Sequence, residues 1–208
     1  MSKLNCLIFI SGNGSNLKNI IDKIDSGFLR DISIHEVITD NPSAGGLKYA
    51  DDKNISTKVI NDDYSYDDIS HEIKEHDINL IVLAGFMKIL PKDFVNNHEG
   101  KIINLHPSLL PRHRGLDTHK RAIKSGDKFH GASVHFVTEK LDEGPVFIQG
   151  IIEIKDADTA YTVEKNVHQI EYQILPIAMK WFSEKLIEKN GKNYNFRGVL
   201  EEEPIKYL

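Results

Sequence analysis

The 208-residue sequence has one cysteine, no long apolar run and no excess of basic residues. The lone Cys6 excludes an intrachain disulfide. Inside the apolar run Cys6-Leu7-Ile8-Phe9-Ile10 it reads as a small buried hydrophobe, not a nucleophile. No stretch approaches the roughly 20 apolar residues a spanning helix needs, and the run before Ser11 is too short for a secretory signal. The expectation is a chain that stays in the cytoplasm without a membrane partner. Lys and Arg number 26 against 31 Asp and Glu, a net charge of −5. That balance lacks the basic footprint of a nucleic-acid binder. Repeats and low-complexity linkers are absent as well. No H-E-x-x-H or Cys/His cluster at ligand spacing occurs, so no metal is expected, although His106, His113, His119, His130 and His135 crowd one region.

What the chain does have is an alternation of apolar runs and helical patterns. Strands are predicted at residues 7–10, 32–39, 58–60, 80–84 and 102–105. Helices are predicted at 16–26, 46–53, 66–76 and 92–97, the first with Leu17, Ile20, Ile21 and Ile24 on one face. This rhythm implies an α/β fold: a mostly parallel twisted sheet with helices on both faces, in one domain spanning 1–208. The second half adds longer strands at 133–137 and 146–154, joined through the turn Leu141-Asp142-Glu143-Gly144-Pro145. A long helix at 160–189 carries Val163, Val167, Ile170, Ile174, Ala178 and Trp181 on one face, with Pro176 predicting a kink. The tail from Asn193 reads as irregular.

Three segments carry candidate chemistry. Ser11-Gly12-Asn13-Gly14-Ser15-Asn16 joins the first strand to the first helix. Its glycines let backbone approach a ligand, the helix start offers free N–H groups to a phosphate, and Ser15 or Asn16 can cap. A dinucleotide fingerprint is the alternative, with Asp40 near the place of a ribose-binding acid, but Leu17 stands where its third glycine belongs. A plain capped turn is the bland one. In Asn104-Leu105-His106-Pro107, strand alternation puts the amide and the imidazole on one side, and Pro107 ends the strand. The amide can stabilise an oxyanion and the imidazole can donate or move a proton, as acyl transfer requires. The bland alternative is two polar residues satisfying loop backbone. Asp142, in a turn, would hold an imidazole and favour its charged form if the fold brought it near His106. His135 shares a strand face with Ser133 and is either a supporting residue or a satisfied core histidine. Arg112-His113-Arg114 could receive an anion or be a solvated loop. Glu171, flanking the apolar stripe of the long helix, is by default a solvated charge.

Together these segments resemble the phosphoribosylglycinamide formyltransferases. The matching stretches are Ile10-Ser11-Gly12-Asn13-Gly14-Ser15-Asn16-Leu17, Asn104-Leu105-His106-Pro107-Ser108-Leu109-Leu110-Pro111 and Ser133-Val134-His135-Phe136-Val137-Thr138 with Leu141-Asp142 and Gly144-Pro145. Leu83-Ala84-Gly85-Phe86-Met87-Lys88-Ile89-Leu90 is similar too. The resemblance covers residues 7 to about 182 and implies a Rossmann-like formyltransferase fold, phosphate-binding over about 1–100, folate-binding and catalytic over about 101–190. It implies 10-formyltetrahydrofolate as donor co-substrate and glycinamide ribonucleotide as acceptor, in purine synthesis. Asn104, His106 and Asp142 match the catalytic trio, which needs no metal. Gly14, Ser15 and Asn16, with His168, Gln169, Ile170 and Glu171, match the acceptor site. Met87, Lys88, Ile89, Leu90, Asn104, Thr138, Glu139, Lys140, Leu141 and Asp142 match the folate site. Two departures stand out. The segment 62–68 has no basic residue where many family members hold a ligand with one, which implies either weaker ligand binding or charge drawn from elsewhere, with Lys88 and Arg114 as candidates. Asp117 stands where histidine is common. An amino-sugar or aminoacyl-tRNA formyltransferase, a folate hydrolase, a non-catalytic nucleotide-binding module and a nicotinamide dehydrogenase are the rival readings. The transfer-RNA enzymes and hydrolases carry extra domains for which the chain is expected to have no room. A monomer or homodimer is expected.

Overall fold

The computed structural model describes residues 3–62 and 64–208; Asp63, within the segment that lacks a basic residue, lies outside them. An eight-stranded sheet forms the middle layer, built from β1 (Leu4–Ile10), β2 (Ile32–Thr39), β3 (Ser56–Val59), β4 (Ile78–Leu83), β5 (Ile102–His106), β6 (Phe129–Phe136), β7 (Val146–Glu153) and a last strand, Ile205–Tyr207. Counting that last strand as β11, the order is β11-β7-β6-β5-β4-β1-β2-β3. Only β6 runs against the others.

Side chains of β1 show why helices cover both faces. Cys6, Ile8 and Ile10 point into one apolar cluster, shared with Leu17 and Ile20 of α1 (Ser15–Asp25) and with Val167, Ile174 and Ala178 of α6 (Ala160–Ser183). Leu7 and Phe9 point into the other, with Ile69 and Ile73 of α3 (Tyr66–Glu75) and Phe94 of α4 (Lys92–Asn97). A strand buried on both faces has no polar side to alternate with, and so reads as an unbroken apolar run. Burial also pushes the Cys6 thiol up to about 12, which keeps it protonated and inert. Between β2 and β3 lies α2 (Leu47–Asp51). Among the described residues, no helix is long and apolar enough to cross a membrane.

Four expectations change. A helix α5 (Thr118–Lys124) follows β5, where the sequence offers little apolar periodicity. The long helix stops at Ser183, not near 189. Lys185 turns left-handed, its N–H bonds the Phe182 carbonyl, and Leu186 N–H reaches back to Trp181 at 2.8 Å. This is a Schellman stop without the glycine that normally announces it. The tail is also regular. It forms β8 (Ile187–Asn190), β9 (Asn193–Phe196) and β10 (Val199–Glu201) as an antiparallel sheet, and then β11 beside β7. Tyr194 is buried there against Phe147, and that contact, invisible to local patterning, orders the segment. Finally, β6 starts at Phe129, four residues before the strand expected at 133.

The long helix runs on through Pro176, which cannot donate to the carbonyl four residues earlier. That orphaned carbonyl, Tyr172 O, accepts instead from Asn19 Nδ2 of α1 at 3.0 Å. Asn19→Ala should therefore destabilise the protein by about 1 kcal/mol. In a Pro176→Ala background, where the helix regains its own donor, the same change should cost less. Urea denaturation of the four proteins measures this, and equal costs in both backgrounds would refute the substitution of one donor for another.

Candidate functional site

The carboxyl ends of β1, β4 and β5 open into a cavity of about 980 Å³. Ligands bind in this position in open α/β sheets because loops diverge there and backbone N–H groups are left unpaired. One wall comes from residues 12–16. Gly14 is left-handed (φ 70°) and precedes the first helical turn without any side-chain cap. Ser15 and Asn16 lie inside the helix, so neither caps it. The unclaimed N–H groups of that turn suit an anion. A Cβ on Gly14 would sit 2.5 Å from Cα of Gly46, so this close approach of two backbones requires glycine.

Asn16 carries the wall across to α6. Its Nδ2 donates to Glu171 Oε2 at 3.0 Å, and the same oxygen accepts from His168 Nδ1 at 2.8 Å. Glu171 is buried, not solvated. Asn16 Oδ1 is buried with no partner. The structure brings only part of the segment 168–171 to the cavity. Positions three apart share a helix face, which selects His168 and Glu171. Gln169 is exposed on another face, and Ile170 packs onto Gly150 of the core; neither lines the cavity.

The second wall joins Asn104, His106 and Asp142. Asn104 and His106 project from β5 on one side, as their spacing demands. Asn104 is the antiparallel partner of His135 on β6, and its Nδ2 lies 3.1 Å from His135 Nε2. The Phe136 carbonyl, 2.8 Å from His135 Nδ1, can only accept, so Nδ1 bears the proton and Nε2 offers its lone pair. Burial pushes His135 down to about 4, so it stays neutral. Asn104 is thereby oriented with one N–H on His135 and a second left over.

His106 Nε2 is engaged by the His113 carbonyl at 3.0 Å, leaving Nδ1 as the nitrogen 3.5 Å from Asp142 Oδ2. Asp142 sits left-handed in the connection between β6 and β7, and Gly115 N–H donates to its Oδ2 at 2.9 Å. Gly144 is needed beside it, because a Cβ there would fall 1.7 Å from the Phe136 carbonyl oxygen.

The third wall holds Met87, Lys88, Ile89 and Leu90 after β4, facing Thr138, Glu139, Lys140 and Leu141. Met87, Ile89 and Leu141 are exposed apolar side chains at its mouth. Residues 115–120, Tyr161 and Glu164 also line the cavity. Sequence patterning missed them because no motif marks the start of α5 or the first turn of α6. Asp117, the second departure from the family, lies here and pairs with Lys120 at 3.1 Å. Lys88 lines the cavity, whereas Arg114 does not and pairs with Glu143 at 2.8 Å. Arg112 and His113 both pair with Asp127. Asp40 is not in the lining and instead accepts from Ser11 Oγ, which leaves the dinucleotide reading without its ribose acid. His119 and His130 bond each other at 3.1 Å, both pushed down by burial, His130 to about 4. Among the described residues, no group of three or more His, Cys, Asp or Glu side chains is placed to hold a metal.

A strand-end cavity with a free helix N-terminus on one wall and an Asn-His-Asp set on another defines an α/β group-transfer site. The formyl transferase family model matches residues 4–179. Phosphoribosylglycinamide formyltransferase of Haemophilus influenzae is 41% identical over 183 residues, covering 85% of this chain and 86% of that one. The Escherichia coli enzyme of that name is 37% identical over 187 residues, covering 87% and 88%. A solved phosphoribosylglycinamide formyltransferase from Coxiella burnetii superposes with a TM-score of 0.89 at 39% identity, covering 96% of each chain. The chain belongs to the formyl transferases, and within them to the phosphoribosylglycinamide formyltransferases.

Glu171 also sets the charge of its neighbour. The bond to Glu171 and the nearby charges of Glu171 and Glu164 hold the His168 pKa above its ordinary 6.5, against the opposing effect of partial burial. The protonated form is the one the fold favours, so this stabilisation is complete below 6.5 and is lost as pH rises through the raised value. His168 resonances should titrate above 6.5 by NMR and move back towards it in Glu171→Gln. An unmoved titration in that variant would show that Glu171 is not the cause.

Proposed function

We propose that this protein transfers the formyl group of 10-formyltetrahydrofolate to the glycinamide amine of glycinamide ribonucleotide, giving formylglycinamide ribonucleotide and tetrahydrofolate in purine synthesis. The observation that carries the reading is the placement of the uncapped start of α1 and the Asn104-His106-Asp142 set on one cavity. A phosphate at Gly14, Ser15 and Asn16, with sugar hydroxyls at Glu171, would extend the acceptor amine towards β5. The apolar mouth at Met87, Ile89 and Leu141 fits a flat heteroaromatic ring, and Lys88 suits a carboxylate beyond it. The bound folate would supply an electrophilic formyl carbon on a nitrogen leaving group.

Each residue then has one task. Asn104 donates its second Nδ2–H to the formyl oxygen as that oxygen becomes negative. His106 enters as imidazolium. Its Nε2–H stays on the His113 carbonyl, and its Nδ1–H, at 3.5 Å too far from Asp142 for a good hydrogen bond, donates to the same oxygen. Asp142 balances the imidazolium and, through a water, takes the proton released by the attacking amine and passes it to the folate nitrogen as the tetrahedral intermediate collapses and its formyl C–N bond breaks. Holding both substrates in one cavity contributes through proximity, on the order of several kcal/mol of the barrier. Both substrates are highly charged and do not cross membranes unaided, which supports a cytoplasmic reaction.

A hydrolase reading draws on a formyltetrahydrofolate deformylase of Pseudomonas syringae with a TM-score of 0.85. At 22% identity, and with this chain covering 66% of that one, the likeness is one of fold alone. A spectrophotometric assay with 10-formyltetrahydrofolate, with and without glycinamide ribonucleotide, separates the readings. Acceptor-dependent loss of the formyl group is the expected result. Loss without acceptor would favour hydrolysis, and no turnover by a folate-binding protein would send the search to amino sugars. His106→Ala and Asp142→Asn should stay folded and lose roughly 10²–10⁴-fold in kcat. A folded His106→Ala protein with full activity would overturn the role given to His106.

A further inference from the structure

Ser11 follows the last residue of β1, one residue before the glycine loop, and commits its polar groups to two other strand ends. Its N–H donates to the Gly85 carbonyl at 3.1 Å, and its Oγ accepts from Met87 N–H at 2.8 Å. Its carbonyl accepts from Asn41 Nδ2 at 3.1 Å, and its hydroxyl donates to Asp40 Oδ1 at 2.5 Å. Three parallel strands, β1, β2 and β4, are therefore tied at one residue just where their loops diverge.

The direction of the hydroxyl proton decides what this knot does. A carboxylate can only accept, so Asp40 takes the Ser11 proton and turns the oxygen lone pairs towards Met87 N–H. Without Asp40 the hydroxyl rotates freely and the amide of Met87 loses an aimed acceptor. On one side of Ser11 the chain enters residues 12–16, which line the acceptor wall; across the knot it enters residues 87–90, which line the donor wall. Neither Ser11 nor Asp40 lines the cavity.

We propose that Ser11, oriented by Asp40, is the positioning residue that registers the loop after β4 against the glycine loop after β1, and so sets the spacing between the two substrates. This rests on the functional reading above, which puts one substrate on each loop. Registration of this kind acts on the reaction geometry more than on either affinity, because each wall keeps its own contacts. A displacement of about 1 Å between reacting groups can cost roughly 10²-fold in rate.

The test uses Ser11→Ala, Asp40→Ala and Asp40→Asn, the last keeping an oxygen that can accept from Ser11. In the first two, kcat should fall roughly 10–100-fold while the KM for each substrate stays within about threefold. Asp40→Asn should keep most of the wild-type kcat. Amide exchange at Met87 in the free protein, read by NMR, should speed up in Ser11→Ala and Asp40→Ala and stay slow in Asp40→Asn. A folded Ser11→Ala enzyme with wild-type kcat, or with unchanged Met87 exchange, would overturn the proposal. So would loss of both KM values and thermal stability together, which marks a role in folding only. If Ser11→Ala fails to fold, the Asp40 pair carries the same comparison. Absence of formyl transfer by the wild type, with the exchange pattern intact, would instead overturn the functional reading and leave the registration in place.

Discussion

Parallel pairing of β5, β4, β1 and β2 is the constraint on which the rest of the structure depends. Parallel neighbours all end at the same edge, and at that edge the ladder stops supplying partners for backbone groups. The glycine loop leaves from the end of β1, residues 85–90 from the end of β4, and His106-Pro107 from the end of β5. Three segments far apart in sequence thus meet without any long excursion. Reversal of β6 adds what a purely parallel sheet cannot. It brings His135 directly opposite Asn104, and the connection that follows β6 beside the start of β5 folds back to set Asp142 3.5 Å from His106.

Within that frame the polar groups are sorted by burial. His135 and His130 are pushed down to about 4 and His119 is lowered too, so three imidazoles near the centre are neutral spacers and hydrogen-bond partners. His168 is held above its ordinary range, because Glu171 and Glu164 outweigh its partial burial. Imidazoles within one site therefore differ in charge at a single pH, and the difference follows from which carboxylate each one meets.

Much of this was legible in the sequence wherever the signal is local. The apolar runs of β1 and β4 could be read because both faces are buried, and the shared side of Asn104 and His106 because strand alternation is rigid. Ser15 and Asn16 suit a cap by type but do not cap, since a left-handed Gly14 can begin a helix without one. The regular tail depends on Tyr194 meeting Phe147, a contact about 47 positions away in the chain, and no window of the sequence contains it. The helix end at Ser183 was hidden because Lys185, not glycine, takes the left-handed position. Asp142 is the instructive case. Turn chemistry alone makes it ordinary, family resemblance singles it out, and only the folded-back connection between β6 and β7, held by Gly115 N–H, places it beside His106.

Asp40 shows the opposite relation between pattern and structure. Its position after the second strand suits a ribose-binding acid, and the pattern was real, but the carboxylate is turned inward to Ser11. The residue therefore shapes the site from behind. A two-substrate enzyme needs such a residue more than a one-substrate enzyme does. Each ligand can organise the wall it touches, but neither ligand can set the distance between walls before both are bound. That distance has to be built into the protein, and the strongest place to build it is where adjacent strands still hold each other by backbone hydrogen bonds. Ser11 stands one residue past the end of β1, still bonded through its N–H to the Gly85 carbonyl, which is why a single hydroxyl there can govern loops that the substrates would otherwise have to draw together.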